Sequence, residues 1–137
     1  VTVNAVATTD QLAALQRACR SVYVDPSLIQ FAVRLVSATR TPEKHDLKEL
    51  TRFITYGASP RASINLTEGS RALAMLRGRS YVLPEAMADF VPDVLRHRLV
   101  LSYEALSEGL SADAIIAKIT AKIPTPAKPL EHEKLAA

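Results

Sequence analysis

Apolar residues recur along the chain at spacings of three and four, which divides it into helices joined by short polar links. Residues 1–8, VTVNAVAT, alternate loosely and read as an extended lead-in with room for one short strand. Thr8 followed by Gln11 matches a capping box, and Asp10 puts negative charge in the first turn. A first helix is therefore predicted from about Asp10 to Val22, with Leu12, Leu15, Cys19 and Val22 as its inner stripe. In DPSLIQFAVRLVSATR, Asp25 caps a second helix and Pro26 takes its first position. Leu28, Ile29, Ala32, Val33 and Val36 line one face of it.

Thr41 to Phe53 is polar, with Leu47, Leu50 and Phe53 at spacing three, and predicts a turn plus a short surface helix. In YGASPRASINL, Ser59 is a good N-cap and Pro60 suits the first helical position. A long helix should run from Pro60 to about Arg77, carrying Leu66, Leu73, Met75 and Leu76, with Gly78 as a left-handed C-cap. Pro84 opens another helix, although Leu83 before it is a poor cap. Pro92 should break that helix into two short pieces, Pro84–Phe90 and Pro92–Arg98. LVLSYEAL fits a brief strand or a helix-to-loop passage equally well. Ser111 caps a final helix with Ile115, Ile116, Ile119 and Ile123 on one side.

The expectation is an all-α fold: a compact bundle of five or six helices over residues 9–126, with room for one or two very short strands. Residues 127–137 close the chain as a proline- and charge-rich tail expected to be mobile.

Composition narrows the picture. At 137 residues the chain fits one domain, long enough to bury about two-thirds of its unfolded surface. Aromatics make up 5% and tryptophan is absent, so the core must come from Leu, Ile, Val and Ala. A net charge of +3 is too mild to argue for nucleic acid or an anionic membrane. The one cysteine, Cys19, suits a reducing cytoplasm and reads as a small buried hydrophobe. No apolar run approaches 18 residues, so no membrane span is expected. The chain opens at Val1 and not at Met, which points to a fragment or a processed chain.

Most enzyme constellations are missing. His45, His97 and His132 are far apart, with no HExxH or Cys–His spacing, so no metal site is expected. There is no Gly-x-Ser-x-Gly elbow and no GxxxxGK[ST] phosphate loop. The chain alone should not hydrolyse ATP.

Arg61 is the exception. It falls in the first turn of its helix, where backbone N–H groups lack partners and the dipole is positive. A guanidinium there costs roughly 0.3–1 kcal/mol unless an anion answers it. One reading pairs it with a carboxylate of its own domain, such as Glu104 or Glu108, or leaves its head in water. The other is an anion clamp, in which Gly57 allows a tight approach, Ser59 caps, and Arg61 with the helix N-terminus faces a phosphate.

Tyr56-Gly57-Ala58-Ser59-Pro60-Arg61-Ala62 resembles the sensor 2 motif of MoxR-type AAA+ ATPases. The likeness continues through Arg71-Ala72-Leu73-Ala74, Leu76-Arg77-Gly78-Arg79, Tyr81-Val82, Pro84-Glu85 and Pro92-Asp93-Val94-Leu95-Arg96-His97-Arg98-Leu99. It covers roughly residues 9–126 and implies the C-terminal helical lid of such an ATPase. By this resemblance Arg61 is the sensor 2 arginine, contacting the γ-phosphate of its own or a neighbouring subunit's nucleotide, with Gly57 and Ser59 beside it. The resemblance further implies ATP and Mg2+ in the full-length protein, with neither expected on the isolated fragment. The implied partners are the protein's own AAA+ core domain, neighbouring ring subunits and a von Willebrand factor A-domain protein, in cytoplasmic, chaperone-like work on maturation or metal insertion. Leu83 departs from the usual Thr or Ser cap.

A different class also fits: a free-standing helical module that binds nucleic acid or a protein through Arg71, Arg77, Arg79, Arg96 and Arg98. The absence of a helix-turn-helix pattern and the scarcity of aromatics for stacking speak against nucleic acid.

Overall fold

A computed structural model describes residues 4–126. Among them are six α-helices: α1 (Thr9–Arg20), α2 (Pro26–Arg40), α3 (Arg61–Leu76), α4 (Pro84–Leu95), α5 (Tyr103–Ser107) and α6 (Ala112–Lys122). Two very short strands, β1 (Ile54–Tyr56) and β2 (Val100–Leu101), pair antiparallel with an irregular register. The fold is all-α, as expected. Asn4–Thr8 contains no strand, and residues 127–137, expected to form a mobile tail, lie outside the described residues.

Local chemistry accounts for most helix ends. Thr8 and Gln11 form the reciprocal capping box of α1. Asp25 accepts the Ser27 N–H at 2.8 Å, with Pro26 at the first position of α2. Ser102 and Ser111 cap α5 and α6 through the Ala105 and Ala114 N–H groups. Gly78, at φ 69°, closes α3 in a Schellman motif: the Arg79 N–H reaches the Ala74 carbonyl and the Gly78 N–H the Met75 carbonyl, both at 2.9 Å.

The core lies where α2, α3, α4 and α6 meet. Leu28, Phe31, Ala32 and Leu35 of α2, Ala62, Leu66 and Ala74 of α3, Met87, Val91 and Leu95 of α4, and Ile115, Ile116 and Ile119 of α6 are all buried. Ahead of α2, Tyr23 bonds the Ser80 carbonyl and accepts from Val82, which ties the α3–α4 link to the start of α2.

Four expectations need correction. The stripe of α1 is not an inner one: Leu12 and Leu15 are more than half exposed, Cys19 is half-buried, and only Val22, past the helix end, is in the core. Periodicity shows that a helix is amphipathic without showing that the surface to cover it is nearby. The buried face of α2 is rotated from the predicted one. The bulkier Phe31 and Leu35 point inward, leaving Ile29 42% and Val33 51% exposed.

Thr41 to Phe53 forms no α-helix but two 3-10 turns, Pro42–His45 and Lys48–Leu50, which bury Leu47, Leu50 and Phe53. Asp46, with positive φ between the turns, stops them merging. Finally, α4 runs through Pro92 without breaking. Burial of Met87, Val91, Val94 and Leu95 on one continuous face outweighs the single backbone bond that the proline removes. LVLSYEAL takes the strand reading at Val100–Leu101, and the Ser102-capped α5 that follows was not expected.

Leu66, completely buried at the middle of α3, provides a test of this core. Leu66→Ala is expected to lower unfolding free energy by about 2–5 kcal/mol in urea denaturation, whereas a loss below about 1 kcal/mol would contradict the packing.

Candidate functional site

The residues singled out from sequence, Gly57, Ser59 and Arg61, lie together where the chain leaves β1 and enters α3. Small residues seat this turn and polar ones project from it. Ala58 and Ala62 are fully buried, while Ser59, Pro60 and Arg61 between them are exposed.

Gly57 lies against the last turn of α2. A Cβ there would come within 2.2 Å of the Thr39 carbonyl oxygen and 2.8 Å of the Arg40 Cα. Both are backbone atoms, so only glycine permits the approach.

Next to it the Ala58 N–H donates to the Thr39 hydroxyl at 2.9 Å, and that hydroxyl donates to the Val36 carbonyl at 2.7 Å. Thr39 is 1% exposed, so leaving the Ala58 N–H without this partner would cost about 1–3 kcal/mol. The Arg40 guanidinium adds a longer 3.4 Å contact to the Ala58 carbonyl. Sequence reading missed both Thr39 and Arg40. A threonine at the polar end of a helix carries no local signal for a partner nineteen residues away.

Ser59 does not cap the helix. Its backbone carbonyl takes the Ala62 N–H at 2.8 Å, which its hydroxyl would otherwise have accepted, and the Pro60 carbonyl takes the Ser63 N–H at 3.1 Å. Pro60 is already helical, at φ −54° and ψ −26°, and no side chain caps the N-terminus of α3. A tight turn thus replaces the cap.

Arg61 stands first in α3, exposed, with no ion pair or side-chain hydrogen bond among the described residues. The acids suggested as its partners are used elsewhere: Glu108 lies 2.9 Å and Glu104 3.6 Å from Arg52, whose guanidinium also covers the Phe53 ring. Beside the turn, Val33, Val36 and Arg40 of α2 face Pro60 and Ser63 across a groove of about 370 Å³ whose lining contains no acid.

The arginines of the nucleic-acid alternative are largely committed within the domain. Arg71 pairs with Glu68, and Arg98 donates to the Val94 carbonyl and contacts His97. Arg96 bonds Asp113 at 2.7 Å and lies 3.5 Å from Asp93, and the Asp113 hydrogen bond is the main cause of a pKa raised above the ordinary arginine value. Among the described residues no group of three His, Cys, Asp or Glu could hold a metal ion, and no helix is long and apolar enough to cross a membrane.

Residues 47–119 match the AAA lid domain model, more than half of the chain, so the chain belongs to the AAA lid domain family. The relatives it resembles include MoxR proteins. It is 38% identical to Chaperone MoxR1 of Mycobacterium tuberculosis, over 88% of this chain and 32% of that protein. It is 35% identical to Protein MoxR of Paracoccus denitrificans, over 77% of this chain and 32% of that one. A crystal structure of a presumed ATPase from Cytophaga hutchinsonii superposes with a TM-score of 0.77 at 39% identity, covering 80% of this chain and 33% of that chain. The chain thus spans about a third of the length of the curated relatives it matches.

The seating of the turn separates structural from exposed residues. Gly57→Ala should destabilise the chain by about 1–3 kcal/mol through the clash with α2. Arg61→Ala should change stability by no more than about 0.5 kcal/mol. Urea titration of both variants would expose an error in this geometry if their losses proved equal.

Proposed function

We propose that this lid senses nucleotide through Arg61 in a MoxR-type AAA+ protein that binds and hydrolyses Mg-ATP. The observation that carries the reading is an exposed arginine with no acidic partner among the described residues, set at the uncapped N-terminus of a 16-residue helix. The positive dipole end and the guanidinium disfavour each other until an anion lies between them, and a terminal phosphate oxygen has the charge and size to do so.

Arg61 is the sensor 2 residue on this reading, with Gly57 holding the turn and Ser59 on its exposed rim beside the phosphate. The turn fits a phosphate, and among the described residues no group of three His, Cys, Asp or Glu could hold Mg2+, so on this reading the phosphate loop and the metal belong to a core domain outside the lid. A guanidinium held this way binds the γ-phosphate and stabilises charge that develops during phosphoryl transfer. It also couples the presence of that phosphate to the position of the lid.

The assembly is a cytoplasmic ring in which the lid meets its own core and the neighbouring subunit, with Arg61 serving one of the two nucleotides. A von Willebrand factor A-domain protein is the proposed partner, and chaperone-like maturation or metal insertion the proposed task. A nucleic-acid module is the weaker reading, since Arg71, Arg96 and Arg98 already have partners inside the domain.

In the protein that joins this lid to its ATPase core, Arg61→Ala should cut ATP turnover by about 10²-fold while leaving thermal unfolding of the lid unchanged. Turnover at the wild-type level would overturn the assignment.

A further inference from the structure

We propose that Thr39 is the positioning residue for Arg61: its buried hydroxyl holds the Gly57–Pro60 turn on the last turn of α2 and so aims the guanidinium at its anion. The proposal rests on the nucleotide-sensing reading of Arg61 and adds the element that controls it.

Three observations converge on this residue. Its hydroxyl is shared between the Val36 carbonyl at 2.7 Å and the Ala58 N–H at 2.9 Å, which makes it a bridge from the α2 backbone to the turn. It is 1% exposed, so water cannot substitute for either bond. From the other side, Gly57 has no side chain to push the turn away, and its position leaves only 2.2 Å between a hypothetical Cβ and the Thr39 carbonyl oxygen.

Two residues, Ser59 and Pro60, separate Ala58 from Arg61, and Pro60 has little backbone freedom. The chain between the tether and the guanidinium is consequently short and stiff. No capping side chain at α3 provides an alternative anchor, because Ser59 uses its carbonyl for the first turn. Arg40 reaches the Ala58 carbonyl only at 3.4 Å and is exposed, so it is the lesser of the two tethers. The direction of Arg61 therefore follows the end of α2, and a shift of α2 would move the anion contact with it.

The test combines a double-mutant cycle with a local exchange measurement. Thr39→Val keeps the shape of the side chain and removes the hydroxyl, and Thr39→Ser keeps the hydroxyl. In the protein carrying lid and ATPase core, Thr39→Val should lower ATP turnover about tenfold or more, Thr39→Ser should retain most of it, and Thr39→Val should add nothing further to Arg61→Ala. In the 137-residue chain, the Ala58 amide should exchange with solvent about tenfold or more faster in Thr39→Val than in wild type.

Should Thr39→Val fail to fold, Gly57→Ala displaces the same turn from the opposite side. Its effect on turnover should likewise vanish in the Arg61→Ala background. Normal turnover in Thr39→Val, or losses that multiply with Arg61→Ala, would overturn the positioning role while leaving the sensing role intact. Normal turnover in Arg61→Ala would overturn both.

Discussion

The Thr39 hydroxyl lies between two helices that the chain connects only by a long detour through two 3-10 turns and β1. It accepts the Ala58 N–H and donates to the Val36 carbonyl, both out of contact with water. Each such bond is worth about 0.5–1.5 kcal/mol net, but losing a buried one costs more than making it gains. That asymmetry gives the turn a single well-defined seat. With the turn seated, Ala58 and Ala62 bury on either side of it and α3 starts at Arg61. The α3 stripe of Ala62, Leu66, Ser70 and Ala74 then meets the core.

This arrangement keeps stability and recognition on different atoms. Among the described residues four cations are paired with acids of the domain: Arg52 with Glu104 and Glu108, Arg71 with Glu68, Arg96 with Asp93 and Asp113, and Lys122 with Asp46. These exposed pairs contribute little, about 0–1 kcal/mol each, but they neutralise charge. Arg61 has no such partner and, unlike the other unpaired arginines, stands at the start of a helix whose entering turn is tightly held. A rigid seat beneath an unanswered charge is the arrangement expected where an external anion binds, because the entropy of ordering the site has already been lost on folding.

The helix ends were largely legible in the sequence. Thr8 with Gln11, Asp25 with Pro26, Ser111 and Gly78 act within a few residues of themselves, and each does so in the structure as its residue type requires. Signals that depend on what lies opposite were less reliable. Ser59 has the right identity for a cap, but the helical geometry of Pro60 lets its carbonyl take the Ala62 N–H first. Pro92 has the right identity for a break, and the apolar face of α4 carries the helix past it.

The chain's own residues determined that it would be helical, roughly where its helices begin and end, and that Arg61 would stand in a first turn, since propensity, capping and periodicity are short-range effects. Tertiary structure alone decided which face of α2 is inside, that α1 keeps Leu12 and Leu15 half in water, and that Thr39 and Gly57 together seat the turn. Burial and long-range hydrogen bonding depend on surfaces and atoms brought together by folding, and no window of neighbouring residues contains both partners.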